Sequence, residues 1–395
     1  MTRKLSKKRV FIFSAIPLLL FLGLMELGVR TFWEFEPNRV LCYDPIMGRT
    51  YCPGTKGFLT ENQVKMHVEV NADGLLGKAY PVKRIPGKFR IAVLGDSFTS
   101  AEAAAPDKKF VGLWEKELSS KFPAGVEVIN FGVGGTGTWQ QSQMFHIKAR
   151  KYKPDMTVVA FCWCNDVGNN VDKYKSGDMS PLLDEYDVGW LKVLQAKRKN
   201  FNKWLWNNSG LYQFTRTKYN HLEHYFKRMF LPDYMKKVPN SGEKKSKPDN
   251  AIPDKKEPPK YFKDTVSIFD DLFFFDSEGW ELTRKLFVKL QQEVLKNGGK
   301  LAVIHFGGLH QYRNFPVLPV KQFDAFLESQ GIAHFNAFDL FMKIDDEFLS
   351  KNFIPNDGHF NETGHRHFAE FSTKFLLDQI EKTSFNYKLS SQATS

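Results

Sequence analysis

The stretch that decides the fold is Ile91-Ala92-Val93-Leu94-Gly95-Asp96-Ser97-Phe98-Thr99. It begins with a run that is apolar on both faces, which is typical of a strand in a parallel sheet covered by helices on each side. A glycine ends the run, and Ser97 follows it after one residue. Open α/β sheets carry their reactive groups at the carboxyl ends of such strands. The stretch therefore predicts a buried first strand with a serine hydroxyl at the mouth of the sheet.

Similar apolar runs recur along the chain, and each is followed by a segment with helical spacing. The predicted strands are Arg90–Leu94, Val126–Phe131, Met156–Trp163, Leu301–Phe306 and Ile332–Phe338. The predicted helices are Phe110–Phe122, Trp139–Tyr152, Ser277–Lys296, Val320–Gln330 and Glu362–Glu381. Alternating strands and helices predict a doubly wound, three-layer α/β/α domain around a parallel five-stranded sheet.

An apolar run at Val10–Val29 follows five basic residues within residues 1–9. As a helix it would span about 30 Å, the thickness of a bilayer's hydrocarbon core. The positive-inside bias keeps the basic end in the cytoplasm. A cleaved signal peptide has the same charge layout, but its apolar region is shorter and ends in an A-x-A-like site, which we do not find. We expect residues 10–29 to be an uncleaved single-pass anchor in a bacterial inner membrane. Residues 1–9 would then lie in the cytoplasm and the chain after the anchor in the periplasm.

The formal net charge of +12 is concentrated in a few segments. Residues 1–9 have five basic groups and no acid, residues 190–230 nine against one, and residues 236–260 eight against four. The rest of the chain is net acidic. A nucleic-acid-binding protein would carry its basic residues as a continuous patch, so this distribution argues against nucleic acid as a partner.

Two regions lie outside the α/β pattern, which occupies residues 89–166 and 276–382. Residues 31–88 are an irregular lead-in segment. Residues 167–275 are an insert, which is aromatic and basic over about Trp190–Leu231. This part could be a packed cap, a platform for a sugar, or a surface that binds anionic lipid or an acidic glycan. An amphipathic helix face within it consists of Leu222, Tyr225, Phe226, Met229 and Phe230. The Lys/Pro-rich part at residues 236–260 has no aromatic residue and is expected to be a disordered loop.

Four cysteines are too few for a disulfide scaffold, and their spacing does not match a zinc site. Cys42 and Cys52 flank a segment that can reverse the chain, so we predict that they pair in an oxidising compartment. Cys162 and Cys164 lie two residues apart in an apolar strand. We expect both to be reduced thiols that pack as small buried hydrophobic side chains.

Three further segments place polar groups where they would meet Ser97. After the second strand, Asn130–Thr136 is rich in glycine, which lets a backbone N–H approach a ligand. After the third strand, Asn165 offers an amide donor. A backbone N–H and an amide aimed at one point make an oxyanion hole. Just before the last helix, Asp357 and His359 supply the carboxylate and the base that a serine nucleophile requires.

Each of these residues also has a structural alternative. Ser97 could cap the following helix, Asn165 could cap a helix or turn, and the glycines could only make a tight turn. A phosphate loop is not expected, because no Gly-Lys-Ser/Thr follows these glycines. The other histidines near these segments are His305, His310, His365 and His367. With His359 they make no convincing metal site, although the first two could line a pocket.

Together these segments resemble the SGNH/GDSL hydrolases, a family of esterases and O-acetyl-group enzymes. The four family blocks stand in order, and the resemblance covers about Arg90–Trp163 and Glu278–Leu377. It implies a flavodoxin-like sheet and no metal or organic cofactor. It assigns Ser97 as nucleophile, Ser97 N–H, Gly135 N–H and the Asn165 amide as oxyanion donors, His359 as general base, and Asp357 as the orienting acid.

Two features depart from the family pattern. A glycine commonly stands two residues before Asn165, where this chain has the crowded Cys162-Trp163-Cys164, and the last block is D-x-H rather than D-x-x-H. Similar spacing occurs in relatives that handle O-acetyl groups on secreted polysaccharides. The resemblance implies a serine hydrolase that cleaves O-acyl, chiefly O-acetyl, esters on cell-envelope carbohydrate. An O-acetyltransferase using the same residues and a non-catalytic glycan-binding or assembly protein are the alternatives.

Overall fold

The protein is described by a computed structural model. The described residues are 7–33, 39–61, 64–102, 104–175, 190–219, 275–309, 312, 317–344, 346–354 and 357–393. The chain divides into two compact units. One comprises residues 1–39 and 197–253; the other, called the α/β unit below, comprises residues 40–196 and 254–395.

The α/β unit is built on a five-stranded parallel sheet with the order β6-β5-β7-β8-β9. Its strands are β5 (Phe89–Gly95), β6 (Val126–Asn130), β7 (Met156–Cys162), β8 (Lys300–Phe306) and β9 (Ala333–Asn336). Counted from β5, this is the flavodoxin-like order 2-1-3-4-5. The order reverses between β5 and β7, whose register pairs Gly95 with Ala160. The predicted fold class is confirmed, and the crevice of such a sheet opens at the carboxyl ends of these two strands.

Helices cover both faces of this sheet. They are α2 (Ser97–Ser100), α3 (Phe110–Lys121), α4 (Thr138–Ile147), α5 (Asp166–Lys175), α8 (Glu278–Lys296), α9 (Val317–Ser329), α10 (Ala337–Met342), α11 (Asp346–Lys351) and α12 (Glu362–Ala393). One layer contains α3 and α12, where Trp114 Nε1 donates to Ser372 Oγ at 3.0 Å. Another contains α4, α5 and α8, where Asn170 Nδ2 donates to Thr283 Oγ1 at 2.9 Å. These buried polar contacts fix each layer against sliding.

Two predicted elements end two or more residues earlier than the sequence pattern indicates. The fifth strand stops at Asn336, because the Asn336 side chain accepts from Asp339 N at 2.9 Å and caps α10. The second helix stops at Ile147, and a short 3₁₀ turn follows at Ala149–Tyr152. Apolar periodicity carries no information about such caps, since Phe338 is apolar and buried although it lies in α10 and not in the strand.

The lead-in segment contains more regular structure than its composition predicts. It forms two antiparallel pairs, β1 (Leu41–Cys42) with β2 (Thr50–Tyr51) and β3 (Lys56–Glu61) with β4 (Val64–Glu69). Cys42 and Cys52, the predicted pair, are joined across the first hairpin with their Cα atoms 5.0 Å apart. In the second hairpin, Val68 and Val70 are buried while His67 and Glu69 are more exposed, an alternation the sequence displays.

The other unit contains α1 (Lys7–Phe32), the end of α6 (Trp190–Asn208) and α7 (residues 210–219). Within α1, residues Phe13–Phe32 are long and apolar enough to span a membrane, with a mean hydropathy of 1.6. The predicted helix face at residues 222–230 and the predicted loop at residues 236–260 lie outside the described residues. The predicted insert boundary at residue 167 falls inside α5, which packs in the α/β unit.

Candidate active site

Ser97 stands at the junction of β5 and α2, at the carboxyl edge of the sheet. Gly95 permits the sharp junction, because a Cβ at this position would lie 2.1 Å from Thr99 Oγ1 and 3.1 Å from Ala160 O. The Asp96 side chain caps α2 by accepting from Phe98 N at 3.0 Å. Ser97 is mostly buried, with 8% of its surface exposed. The local sequence therefore fixes the backbone on both sides of the hydroxyl.

The three predicted triad residues come together in the structure. Ser97 Oγ and His359 Nε2 are 2.7 Å apart, although 262 residues separate them along the chain. His359 Nδ1 is hydrogen-bonded to Asp357 Oδ1, which also accepts from the His359 backbone N–H at 3.1 Å. With the Nδ1 proton directed at Asp357, Nε2 is left as an acceptor for the serine proton. The arrangement can activate a serine for attack on a carbonyl carbon.

The D-x-H spacing brings the carboxylate to the imidazole through a tight local turn. Asp357 Oδ1 accepts from both the backbone and the ring of the residue two positions later. The His359 ring packs against Phe98, with ring centroids 4.6 Å apart. The imidazole of His359 is therefore held by packing against the helix that begins with Ser97 and by its hydrogen bond to Asp357.

The glycine loop after β6 passes directly beside Ser97. A Cβ built on Gly134 would lie 3.6 Å from Ser97 Cβ. Gly135, the predicted backbone donor, follows with φ of 70°, a conformation that favours glycine. The loop is tied to the sheet because Val133 N donates to Gly95 O at 3.1 Å. The structure thus places the Gly134–Gly135 peptide, whose N–H belongs to Gly135, at the mouth of the site.

Asn165, the predicted side-chain donor, is tied to Asp96. Burial raises the pKa of Asp96 to about 6, opposed by the charge of His359 and by hydrogen bonds from Phe98 N and the Asn165 side chain. The bond between Asp96 and Asn165 connects the start of α2 with the turn after β7. Sequence reasoning used Asp96 only as part of the Gly-Asp-Ser motif and missed this second contact.

Cys162 and Cys164 are joined in a disulfide in the structure, so the expectation that both are reduced is wrong. That expectation places both residues in an extended strand, where side chains two residues apart point the same way but are separated along the strand. The backbone instead turns directly after β7, since Asn165 N lies 3.5 Å from Cys162 O. The turn brings the two Cα atoms to 5.1 Å, within the range that a disulfide bridges.

Among the described residues, one cluster has metal-ligand atoms close together, formed by Asp96, Cys162 and Cys164. Both sulfurs in it belong to the disulfide and offer no thiolate in this state. The site predicted from the sequence contains no metal. Of the other histidines near the predicted segments, those that the structure describes have hydrogen-bond partners or pack against aromatic rings. His305 is fully buried and contacts Trp163 Nε1 at 3.2 Å and Asp324 Oδ1 at 2.7 Å. His310 lies outside the described residues.

Residues from the lead-in segment reach the site, which sequence reasoning did not predict. Arg49 Nη1 lies 3.4 Å from Gly134 O. Tyr51, which is 1% exposed, donates from its hydroxyl to the Glu102 carboxylate. Glu102 in turn lies 3.1 Å from the position of a Cβ on Gly134. No motif links residues 49–51 to Ser97, so the sequence offers only the cysteine pair as a sign that this loop is rigid.

Comparison with solved structures finds matches of low similarity. One is a lipase/acylhydrolase from Enterococcus faecalis, with 12% identity, TM-score 0.36, and coverage of 72% of this chain and 94% of that one. Another is the acetyl xylan esterase AlAXEase, with 11% identity, TM-score 0.36, and coverage of 71% and 96%. A third is CEX, a two-domain esterase active on acetylated mannans, with 13% identity, TM-score 0.39, and coverage of 75% and 50%.

No protein-family model matches the sequence, and no curated protein matches it. At these identities and TM-scores, similarity to the solved structures does not establish an activity. The chemistry of this chain therefore has to be inferred from the geometry around Ser97.

Proposed function

We propose that this chain is a serine esterase of the SGNH type that removes O-acyl, chiefly O-acetyl, groups from cell-envelope carbohydrate. The observation that carries the proposal is the 2.7 Å contact between Ser97 Oγ and His359 Nε2, with Asp357 on the opposite ring nitrogen. A serine that only caps a helix has no need of a histidine oriented by a carboxylate. The same contact argues against a non-catalytic binding protein.

In the first half-reaction, Ser97 Oγ attacks the carbonyl carbon of the ester while His359 Nε2 takes the serine proton. The carbonyl oxygen becomes an oxyanion, which the N–H groups of Ser97 and Gly135 and the Asn165 amide would stabilise. Collapse breaks the bond to the sugar oxygen, which leaves as a hydroxyl after receiving the proton from His359. Asp357 stabilises the imidazolium between these two transfers.

In the second half-reaction, water attacks the acyl-Ser97 ester, and His359 accepts the water proton. Acetic acid leaves, and the serine recovers its proton from His359. A sugar hydroxyl in place of water would complete an acyl transfer with the same residues. The rival O-acetyltransferase therefore differs only in which nucleophile reaches the acyl-enzyme.

We propose that α1 is an uncleaved anchor and that the α/β unit lies outside the cytoplasm. The last turns of α1 are bonded to the start of α7, which favours retention of the helix after synthesis. Glu26 accepts from Ser209 Oγ at 3.0 Å, Gly210 N at 2.7 Å and Leu211 N at 2.8 Å. Two disulfides in one chain favour an oxidising compartment such as the periplasm.

The test incubates the full chain in detergent with O-acetylated xylo-oligosaccharides and follows acetate by proton NMR. Wild-type protein should release acetate, and Ser97→Ala should release none. The matched control is Ser120→Ala, an exposed serine of α3, which should behave as wild type. Acetate found on an added acceptor glycan instead of in solution would favour the transferase. Binding without any turnover, in wild-type protein and Ser97→Ala alike, would contradict catalysis.

Location is tested separately. Alkaline phosphatase fused after residue 40 should be active in cells, and the protein should resist carbonate extraction. A mature form that starts near residue 30 would show that α1 is a cleaved signal peptide.

A further inference from the structure

The loop between Cys42 and Cys52 carries an arginine to the edge of the candidate site. The disulfide closes this loop, and Cys52 N donates to Val40 O at 2.8 Å. Inside it, Asp44 Oδ1 accepts from Ile46 N at 2.8 Å and from Met47 N at 2.9 Å. These contacts restrict the loop before any substrate arrives, so that a side chain on it is presented at a fixed place.

The same loop is hydrogen-bonded to residues that lie beside Ser97. Tyr51 is buried, and its hydroxyl donates to the Glu102 carboxylate. Arg49 contacts the glycine loop directly, since its Nη1 is 3.2 Å from the position of a Cβ on Gly135 and 3.4 Å from Gly134 O. The guanidinium therefore lies next to Gly135, the residue that follows the glycine packed against Ser97.

Within the part of the chain that the structure describes, no acidic side chain neutralises the charge of Arg49. No carboxylate of the described residues lies within 4.0 Å of its guanidinium, and the side chain is exposed. The nearby Glu102 is engaged by Tyr51 instead. A guanidinium has five N–H donors, and its one described partner is the Gly134 carbonyl at a long distance. Several donors are therefore available at the mouth of the site.

A guanidinium is matched in shape to a planar carboxylate, which it binds with two parallel hydrogen bonds. We propose that Arg49 forms an anion subsite that binds the carboxylate of a uronic acid within the acylated glycan. This proposal rests on the proposed function, because the subsite is defined by the contact of Arg49 with the glycine loop that passes beside Ser97. It makes the preferred substrate an acetylated acidic glycan rather than an acetylated neutral one.

The test compares acetate release from three substrates: acetylated oligogalacturonate, the same oligosaccharide with its carboxylates methyl-esterified, and acetylated xylo-oligosaccharides. The variant is Arg49→Gln, which removes the charge but keeps an N–H donor for Gly134 O. Loss of a charge-assisted pair should lower kcat/KM about 10- to 100-fold more for the free carboxylate than for the two neutral substrates. Added salt should weaken the wild-type preference and leave the variant little changed.

The control is Arg150→Gln, an exposed arginine that precedes β7 and so lies at the amino end of the sheet, away from the site. It should keep the wild-type preference. An equal loss on all three substrates in Arg49→Gln would overturn the subsite and mean that Arg49 positions the Gly134 carbonyl, with the esterase proposal intact.

A binding measurement separates failure of the subsite from failure of the proposed function. In the Ser97→Ala background, acetylated oligogalacturonate should bind about 10- to 100-fold more weakly when Arg49→Gln is added. Equal affinities with and without this change would overturn the subsite. Loss of affinity without turnover in the wild-type protein would uphold the subsite and remove the esterase.

Discussion

His365 should make the α/β unit sensitive to acid. It lies on α12 with 2% of its surface exposed, and its Nδ1 has no hydrogen-bond partner among the described residues. Its ring is 5.7 Å from those of Phe110 and Phe360. Burial lowers the pKa of His365 from 6.5 to about 3, helped by the charges of Lys109 and His359. The folded protein thus holds this imidazole neutral where the unfolded chain protonates it.

The sign of the effect follows from this difference. A histidine with a lowered pKa contributes stability that is fully present above its unfolded pKa and is lost as the pH falls toward its folded pKa. At pH 5 this imidazole is protonated in the unfolded chain, where its pKa is 6.5, but not in the folded chain, where its pKa is about 3. This difference lowers the free energy of unfolding by about 2 kcal/mol relative to pH 8.

The perturbation is His365→Leu, which removes the titrating group and keeps an apolar side chain of similar size. Urea unfolding of the full chain in detergent, followed by near-ultraviolet circular dichroism, is measured at pH 8 and pH 5. The wild type should lose about 2 kcal/mol more than the variant between the two pH values. Exposed His67→Leu is the control for removing an imidazole from the surface. Identical pH dependence in wild type and His365→Leu would refute the reasoning, whatever the variant's absolute stability.

Three further outcomes are expected. Asn165→Ala should lower kcat on p-nitrophenyl acetate by about 10²–10³ with little change in KM, since an oxyanion donor acts in the transition state; an effect confined to KM would contradict that role. Cys42→Ser with Cys52→Ser should cost roughly 2–3 kcal/mol in urea unfolding, and no cost would mean that the loop is held by its other contacts. Gly95→Ala should lower both stability, by about 1–3 kcal/mol, and activity, because its Cβ would lie 2.1 Å from Thr99 Oγ1 and displace α2; a fully active, stable variant would count against the described junction.

The sheet could be predicted from the sequence because its information is local. Each strand is a short apolar run with a clear end, and the run at Ile91–Leu94 is completely buried. The contact between Ser97 and His359 is not local. It could be anticipated because Ser97 follows the first strand, His359 stands just before the last helix, and the segments that carry them resemble those of the SGNH/GDSL hydrolases.

The rest depended on geometry that no pattern carries. Arg49 reaches Gly134 only because the first hairpin is folded against the site, across 85 residues of sequence. The disulfide between Cys162 and Cys164 could not be predicted, because the chain turns within the apolar run instead of after it. Side-chain caps such as that of Asn336 end elements before the apolar pattern does.

The central claim is that Ser97 is the nucleophile activated by His359, and covalent labelling tests it most directly. Wild-type protein treated with a fluorophosphonate should gain one adduct, which peptide mass spectrometry should locate on Ser97. Labelling should be absent in Ser97→Ala, slowed by at least about 10³ in His359→Gln, and unchanged in Ser120→Ala. An adduct on another residue, or labelling that persists in Ser97→Ala, would contradict the account.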